Sequence, residues 1–109
     1  MKIHRTAMAH SMVKSLGKRI AKVETWDVRV HADNRMFEKS LKFDLLSIVS
    51  SGDLVEWHDE AGTERVVLEV DNGKSRDSVV LDLDTKEIIT AYSRENGVLG
   101  RNKNNYLGG

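Results

Sequence analysis

The sequence predicts an α+β fold, with N-terminal helices packed on one face of a roughly four-stranded antiparallel sheet. Three observations predict it. The apolar pattern has a helical period before Gly52 and a strand-like period after it. The four β-rich runs after Gly52 are LVEWH, ERVVLEV, SVVLDL and EIITAYS, joined by the connectors DEAGT, DNGKSRD and DTK. Short, turn-rich links between successive strands lead to an antiparallel meander. The length, 109 residues, suits one domain with one modest core.

The elements follow in order. Met8, Met12, Leu16 and Ile20 recur every four residues, which predicts an amphipathic helix from about Arg5 to Leu16, with Gly17 placed to end or kink it. VETWDVRVH alternates Trp26, Val28 and Val30 against Asp27 and Arg29, the pattern of a short strand or extended lead-in. HADNRMFEK reads as a short helix with His31 and Arg35 four residues apart on one face. In LKFDLLSIVSSGD, Leu41, Leu45, Ile48 and Val49 form a helical stripe, and Gly52 is a stop signal. In the third β run Val79, Leu81 and Leu83 share a face. In the last, strict alternation puts Ile89 and Ala91 on one face and Ile88, Thr90, Tyr92 and Arg94 on the other. Residues 1–95 read as a single α+β domain, and 96–109 as a flexible Gly/Asn-rich tail.

Composition bounds the function. Hydrophobic residues at 39% and charged residues at 31% are those of a soluble globular chain rather than a disordered one. No apolar run approaches the ~20 residues that span a bilayer. Without Cys there is no disulfide, thiolate nucleophile or Cys-ligated metal, which is compatible with the cytoplasm. The net charge of zero is unevenly placed: residues 1–22 hold six Lys and Arg and no acid, residues 94–109 are net +2, and the middle is net −8. Clustered cations suit nucleic-acid phosphates. They suit equally a fold-back onto the acidic body of this chain or of a partner. The acid-free start also has transit-peptide character, but it has few Ser and runs straight into a folded pattern.

Two phrases carry a resemblance. VHADNRMFEKSLKFDLLSIVSSGDLVEW resembles the opening of domain-of-unknown-function family 4258, which begins His-Ala-x-x-Arg-Met-x-Glu-Arg and continues through a helix and a Gly-acid step into the sheet. VVLDLDTKEIITAYSRE resembles the closing hairpin shared by that family and several bacterial contact-dependent toxin domains. Those toxins belong to the barnase–EndoU–colicin–RelE-like class of metal-independent ribonucleases. The resemblance spans about residues 28–95. Ser40 and Leu41 depart from it, standing where the family carries Gly, and the strand region is acidic where such ribonucleases are basic.

The resemblance implies His31, Arg35, Thr90 and Tyr92 as site positions, and strand alternation adds Arg94 to their row. Metal-free RNA cleavage needs a base for the 2′-OH proton, an acid for the leaving 5′-oxygen and cations around the phosphorane. His31 suits the proton transfers, Arg35 offers a planar fork to a phosphate oxygen, and Tyr92 can orient the phosphate or act as the acid. Lys14, Lys18, Arg19 and Lys22 are expected to supply affinity for nucleic acid or a partner. The competing reading makes His31 a helix cap, pairs Arg35 with Asp33, Glu38 or a neighbouring acid, and leaves Thr90 and Tyr92 as ordinary strand residues.

The remaining signals are weaker. His4 and His10 do not share a clean helical face. His58, Asp59 and Glu60 sit in a hairpin connector with no second His or Cys spaced to complete a metal site, so no metal or cofactor is expected. Trp26 and Trp57 read as core or interface residues, and DNGKSRD as a turn rather than a phosphate loop. Two functions follow. One is a small metal-independent endoribonuclease of toxin type that leaves a cyclic phosphate. The other is a non-catalytic phage- or mobile-element-type protein on the same scaffold, docking or inhibiting a host protein or nucleic acid. The expected partners are RNA or an acidic host protein, with an antitoxin or immunity protein as a cognate binder and no membrane. No signal sets the oligomeric state.

Overall fold

The computed structural model describes residues 1–29 and 45–95, with the backbone alone at Arg94 and Glu95. Its elements are β1 (Lys2–His4), a 3-10 turn (Arg5–Ala7), α1 (His10–Ala21), β2 (Asp27–Val28), α2 (Leu45–Ser51), β3 (Asp53–Glu60), β4 (Thr63–Asp71), β5 (Ser75–Asp82) and β6 (Glu87–Glu95).

Turn chemistry makes the meander. Between β3 and β4, Ala61 and Gly62 take φ values of 51° and 80°, the left-handed pair that a two-residue hairpin uses to match strand twist. Between β4 and β5, the Asp71 and Asn72 side chains accept from the backbone N–H groups of Gly73 and Ser75, each at 2.9 Å. Between β5 and β6, Asp82 accepts from the N–H groups of Asp84 and Thr85 at 2.9 and 3.0 Å. These side chains satisfy donors that the ladder leaves unpaired. β3 to β6 therefore run antiparallel in sequence order, as the connectors predict.

The sheet is larger than the expected four strands. Its order is β1-β3-β4-β5-β6-β2, curled and mixed, because β1 adds antiparallel to β3 and β2 adds parallel to β6. Three extended residues before a helix leave too little alternation to signal β1, whereas β2 falls within VETWDVRVH, the expected short strand or extended lead-in. The helix limits shift as well. Residues 2–4 are strand, α1 starts at His10, and it runs through Gly17 to Ala21. Leu16 and Ile20 are buried on either side of Gly17, and that burial outweighs a helical glycine's penalty of about 1 kcal/mol. α2 stops where predicted. Gly52 N–H donates to the Ile48 carbonyl at 2.7 Å, and a Cβ at Gly52 would meet that oxygen at 2.5 Å.

Both helices lie on one face. Leu16 and Ile20 of α1 and Leu45 and Ile48 of α2 cluster with Leu54, Val66, Leu68, Val79, Leu81, Leu83, Ile88 and Ala91. Trp26 is buried in that cluster and Trp57 packs against it. The face assignment of β6 needs one correction. A bulge leaves Ile89 without a register partner, so Leu81 faces Ile88 while Val80 faces Thr90. Ile88 therefore joins Ala91 in the core instead of standing beside Thr90 and Tyr92. The predicted helix over HADNRMFEK, Leu41 and the 96–109 tail lie outside the described residues.

Candidate functional site

The register maps the second face of the sheet, away from the helices, because cross-strand partners share a face. One row runs Lys2, His58, Arg65, Asp82, Glu87. The next runs His4, Glu56, Val67, Val80, Thr90. A third holds Glu69, Ser78 and Tyr92, and a fourth Asp71, Arg76 and the backbone position of Arg94. This face is polar yet enclosed: Glu56, Glu69, Ser78, Asp82, Val67 and Tyr92 are all buried.

Most of its charges are paired. The Glu56 carboxylate has Lys2 Nζ at 2.9 Å, His58 Nε2 at 3.2 Å and His4 Nδ1 at 3.7 Å. Burial alone would raise the Glu56 pKa, but Lys2 and His58 outweigh it and hold the carboxyl below its ordinary value. Arg76 donates to Glu69 at 2.6 Å, and Ser78 Oγ donates to the same carboxylate at 3.3 Å. Arg65 Nε approaches Asp82 Oδ2 at 3.6 Å, an ion-pair distance beyond hydrogen-bond reach.

Three side-chain polar atoms among the described residues are buried without a hydrogen bond: His58 Nε2, Arg65 Nε and Thr90 Oγ1. His58 Nε2 is close to Glu56 but out of line with it, so the contact is electrostatic. All three atoms lie on the polar face. His58 and Arg65 are direct cross-strand neighbours and line a recess of ≈ 300 Å³ with Glu60 and Thr63. A second recess, ≈ 400 Å³, opens among His4, Arg5, Glu56, Glu69 and Arg76. A buried donor without a hydrogen bond is rare; among the described residues His58 Nε2 and Arg65 Nε have only their ion-pair contacts to Glu56 and Asp82.

The predicted residues are placed as follows. Thr90 and Tyr92 share the polar face, and the Arg94 backbone continues their row. His31 and Arg35 lie outside the described residues. Thr90 sits three strands from His58, roughly 14 Å at the usual strand spacing, so the two mark opposite ends of one face rather than one constellation. Lys14, Lys18 and Lys22 are exposed on α1 and just after it. Arg19 instead donates to both Glu64 oxygens at 2.9 and 2.8 Å, which raises the Arg19 pKa.

Sequence reasoning misses the His4–Glu56–His58 group. Local pattern puts His58 at the end of the LVEWH run, whereas β3 extends past it to Glu60, and His4 arrives only because β1 docks beside β3. The sole local signal is Ile3 alternating with Lys2 and His4. Among the described residues, no group of three or more His, Asp and Glu is arranged to hold a metal, and no helix is long and apolar enough to cross a membrane. No family model, curated protein or solved structure matches this chain.

Proposed function

We propose that this chain is a small metal-independent endoribonuclease of toxin type, working on the polar face of its sheet. The observation that carries the reading is that the three buried polar atoms without a hydrogen bond, of His58, Arg65 and Thr90, all lie on that single face, the first two meeting carboxylates only as ion pairs. A phosphate oxygen satisfies the His58 and Arg65 donors, and a ribose or phosphate oxygen satisfies the Thr90 hydroxyl. The chemistry follows from their neighbours. Glu56, its pKa held down by Lys2 and His58, takes the 2′-OH proton; His58 donates a proton to the leaving 5′-oxygen; Arg65 and Lys2 offset the charge of the phosphorane. Thr90 and Tyr92, with Arg94 next in their row, extend the path of the strand across the sheet. The family resemblance adds His31 and Arg35 to the same role set, so two histidines compete for the acid.

The second reading, a non-catalytic binding protein, is favoured by charge cancellation on this face: Lys2 with Glu56, Arg65 with Asp82 and Arg76 with Glu69. Incubation with RNA in excess chelator separates the two. Fragments ending in 2′,3′-cyclic phosphate are expected from the ribonuclease. Intact RNA, with stoichiometric capture of a protein, overturns it in favour of the binding protein.

A further inference from the structure

α1 commits its apolar side to the core through Leu16 and Ile20, with Met12 and Val13 packed against the same cluster. Away from that side stand Lys14 and Lys18, followed by Lys22 at the helix cap, all exposed. Four residues advance a helix by about 6 Å and overshoot one turn by about 40°, so the three lysine positions form a slightly winding row about one turn apart. None has a carboxylate partner among the described residues, whereas Lys2, Arg19, Arg29, Arg65 and Arg76 all do. Lys18 and Lys22 suit the negative end of the helix dipole, but Lys14, two turns from that end, lies beyond its reach.

We propose that Lys14, Lys18 and Lys22 form a ridge that docks the phosphate backbone of RNA, apart from the polar face of the sheet. Charge complementarity selects the occupant. Backbone phosphates require regularly spaced cations and no apolar contact. A membrane-surface helix would need a free apolar face, which α1 has already buried. An acidic protein would be expected to add aromatic or large aliphatic anchors, and the exposed residues between the lysines are Ser15, Gly17, Arg19 and Ala21, with Leu16 and Ile20 buried. The ridge and the polar face lie on opposite sides of the helix and sheet layers, on the order of 15 Å apart. A short oligonucleotide reaches one of them, and a long or folded RNA reaches both. The choice of RNA over DNA rests on the ribonuclease reading; the ridge itself does not.

The test is fluorescence anisotropy of the full chain with a labelled 2′-O-methyl 30-mer, which cannot be cleaved, across a potassium chloride series in chelator. The triple variant Lys14→Gln, Lys18→Gln, Lys22→Gln should bind at least tenfold more weakly at low salt. Its slope of log K against log salt should fall by about 2, because each phosphate of a single strand left without its cation removes near 0.7 from the slope. The substituted side chains are exposed and unpaired, so a melting curve matching the wild type certifies the fold. Equal affinity and slope in wild type and triple variant overturns the ridge. So does a polyglutamate peptide that binds the wild type more tightly than the RNA does and no longer binds the triple variant. If the ridge binds RNA while natural RNA stays intact in chelator, the ridge stands and the ribonuclease reading fails.

Discussion

Arg19 grips Glu64 through both of its terminal guanidinium nitrogens, at 2.9 and 2.8 Å, and so fastens α1 to β4. The same carboxylate accepts from Trp57 Nε1 at 2.9 Å. The Arg19 bond, aided by Trp57 and opposed by burial, holds the Glu64 pKa below its ordinary value. A carboxyl depressed in the folded state contributes stability at neutral pH, and that contribution disappears as pH falls from the ordinary glutamate range through the folded pKa. Arg19→Gln should therefore flatten the acid limb of stability against pH, with a loss at neutral pH of about 1 kcal/mol or less because the pair is partly exposed. Glu64→Ala should cost about 1–2 kcal/mol, since it strands the Trp57 donor. Urea melts at a series of pH values check both, and an unchanged acid limb in Arg19→Gln would remove the clamp.

Gly52 and Gly17 should respond in opposite directions to alanine. At Gly52 the added carbon would lie 2.5 Å from the Ile48 carbonyl and 3.2 Å from Glu69 N, both backbone atoms. Overpacking of that kind should destabilise by about 1–3 kcal/mol. At Gly17, exposed in the interior of α1, no atom lies within 4 Å of the new carbon. Gly17→Ala should stabilise by about 0.5–1 kcal/mol. Thermal melts that rank the two variants the other way would contradict the packing of α2 on β4.

The β6 bulge makes a counterintuitive claim about neighbouring isoleucines. Strict alternation would bury Ile89 with Ala91, whereas the structure buries Ile88 completely and leaves Ile89 partly exposed. Ile88→Ala should cost about 3 kcal/mol, in line with core truncations, and Ile89→Ala less than half of that. Equal losses in denaturant titrations would mean that β6 pairs with β5 without the bulge.

Thr90→Val should separate function from stability. Its hydroxyl is buried without a partner, so the isosteric valine should leave stability unchanged or raise it by about 0.5–1 kcal/mol. If that hydroxyl holds RNA, the same change should lower cleavage. A large loss of stability would reveal a structural bond instead.

The two histidines can be told apart by activity. His58→Ala should lower RNA cleavage by roughly 10²–10⁴-fold if His58 is the proton-transfer group. His31→Ala should do so if the family resemblance holds at that position. Arg35→Lys should also lower activity in the second case, because an ammonium cannot reproduce the guanidinium fork. Single-turnover cleavage of one labelled RNA by the three variants decides between the centres, and full activity in both alanine variants would exclude either histidine as the acid.

The sequence by itself determined the meander, the helix stop at Gly52, most of the core and the apolar first face of the sheet. Each is written in local periodicity and in turn residues that act within a few positions, such as Asp71, Asn72 and Asp82. It also determined that Thr90 and Tyr92 share a face, since they lie on the same side of the bulge. Only the tertiary structure decided what stands beside what. Lys2 and His4 are too few to announce a strand, and they reach Glu56 because β1 finds an edge partner in β3, more than fifty residues away in sequence. Ile88 turned inward because the bulge resets alternation, an effect of pairing with β5 that no local pattern encodes. The same holds for the charges. Six cations among the first 22 residues look alike in sequence, yet the fold brings Arg19 to a carboxylate and leaves Lys14, Lys18 and Lys22 in water, because pairing is set by what the opposing strand presents.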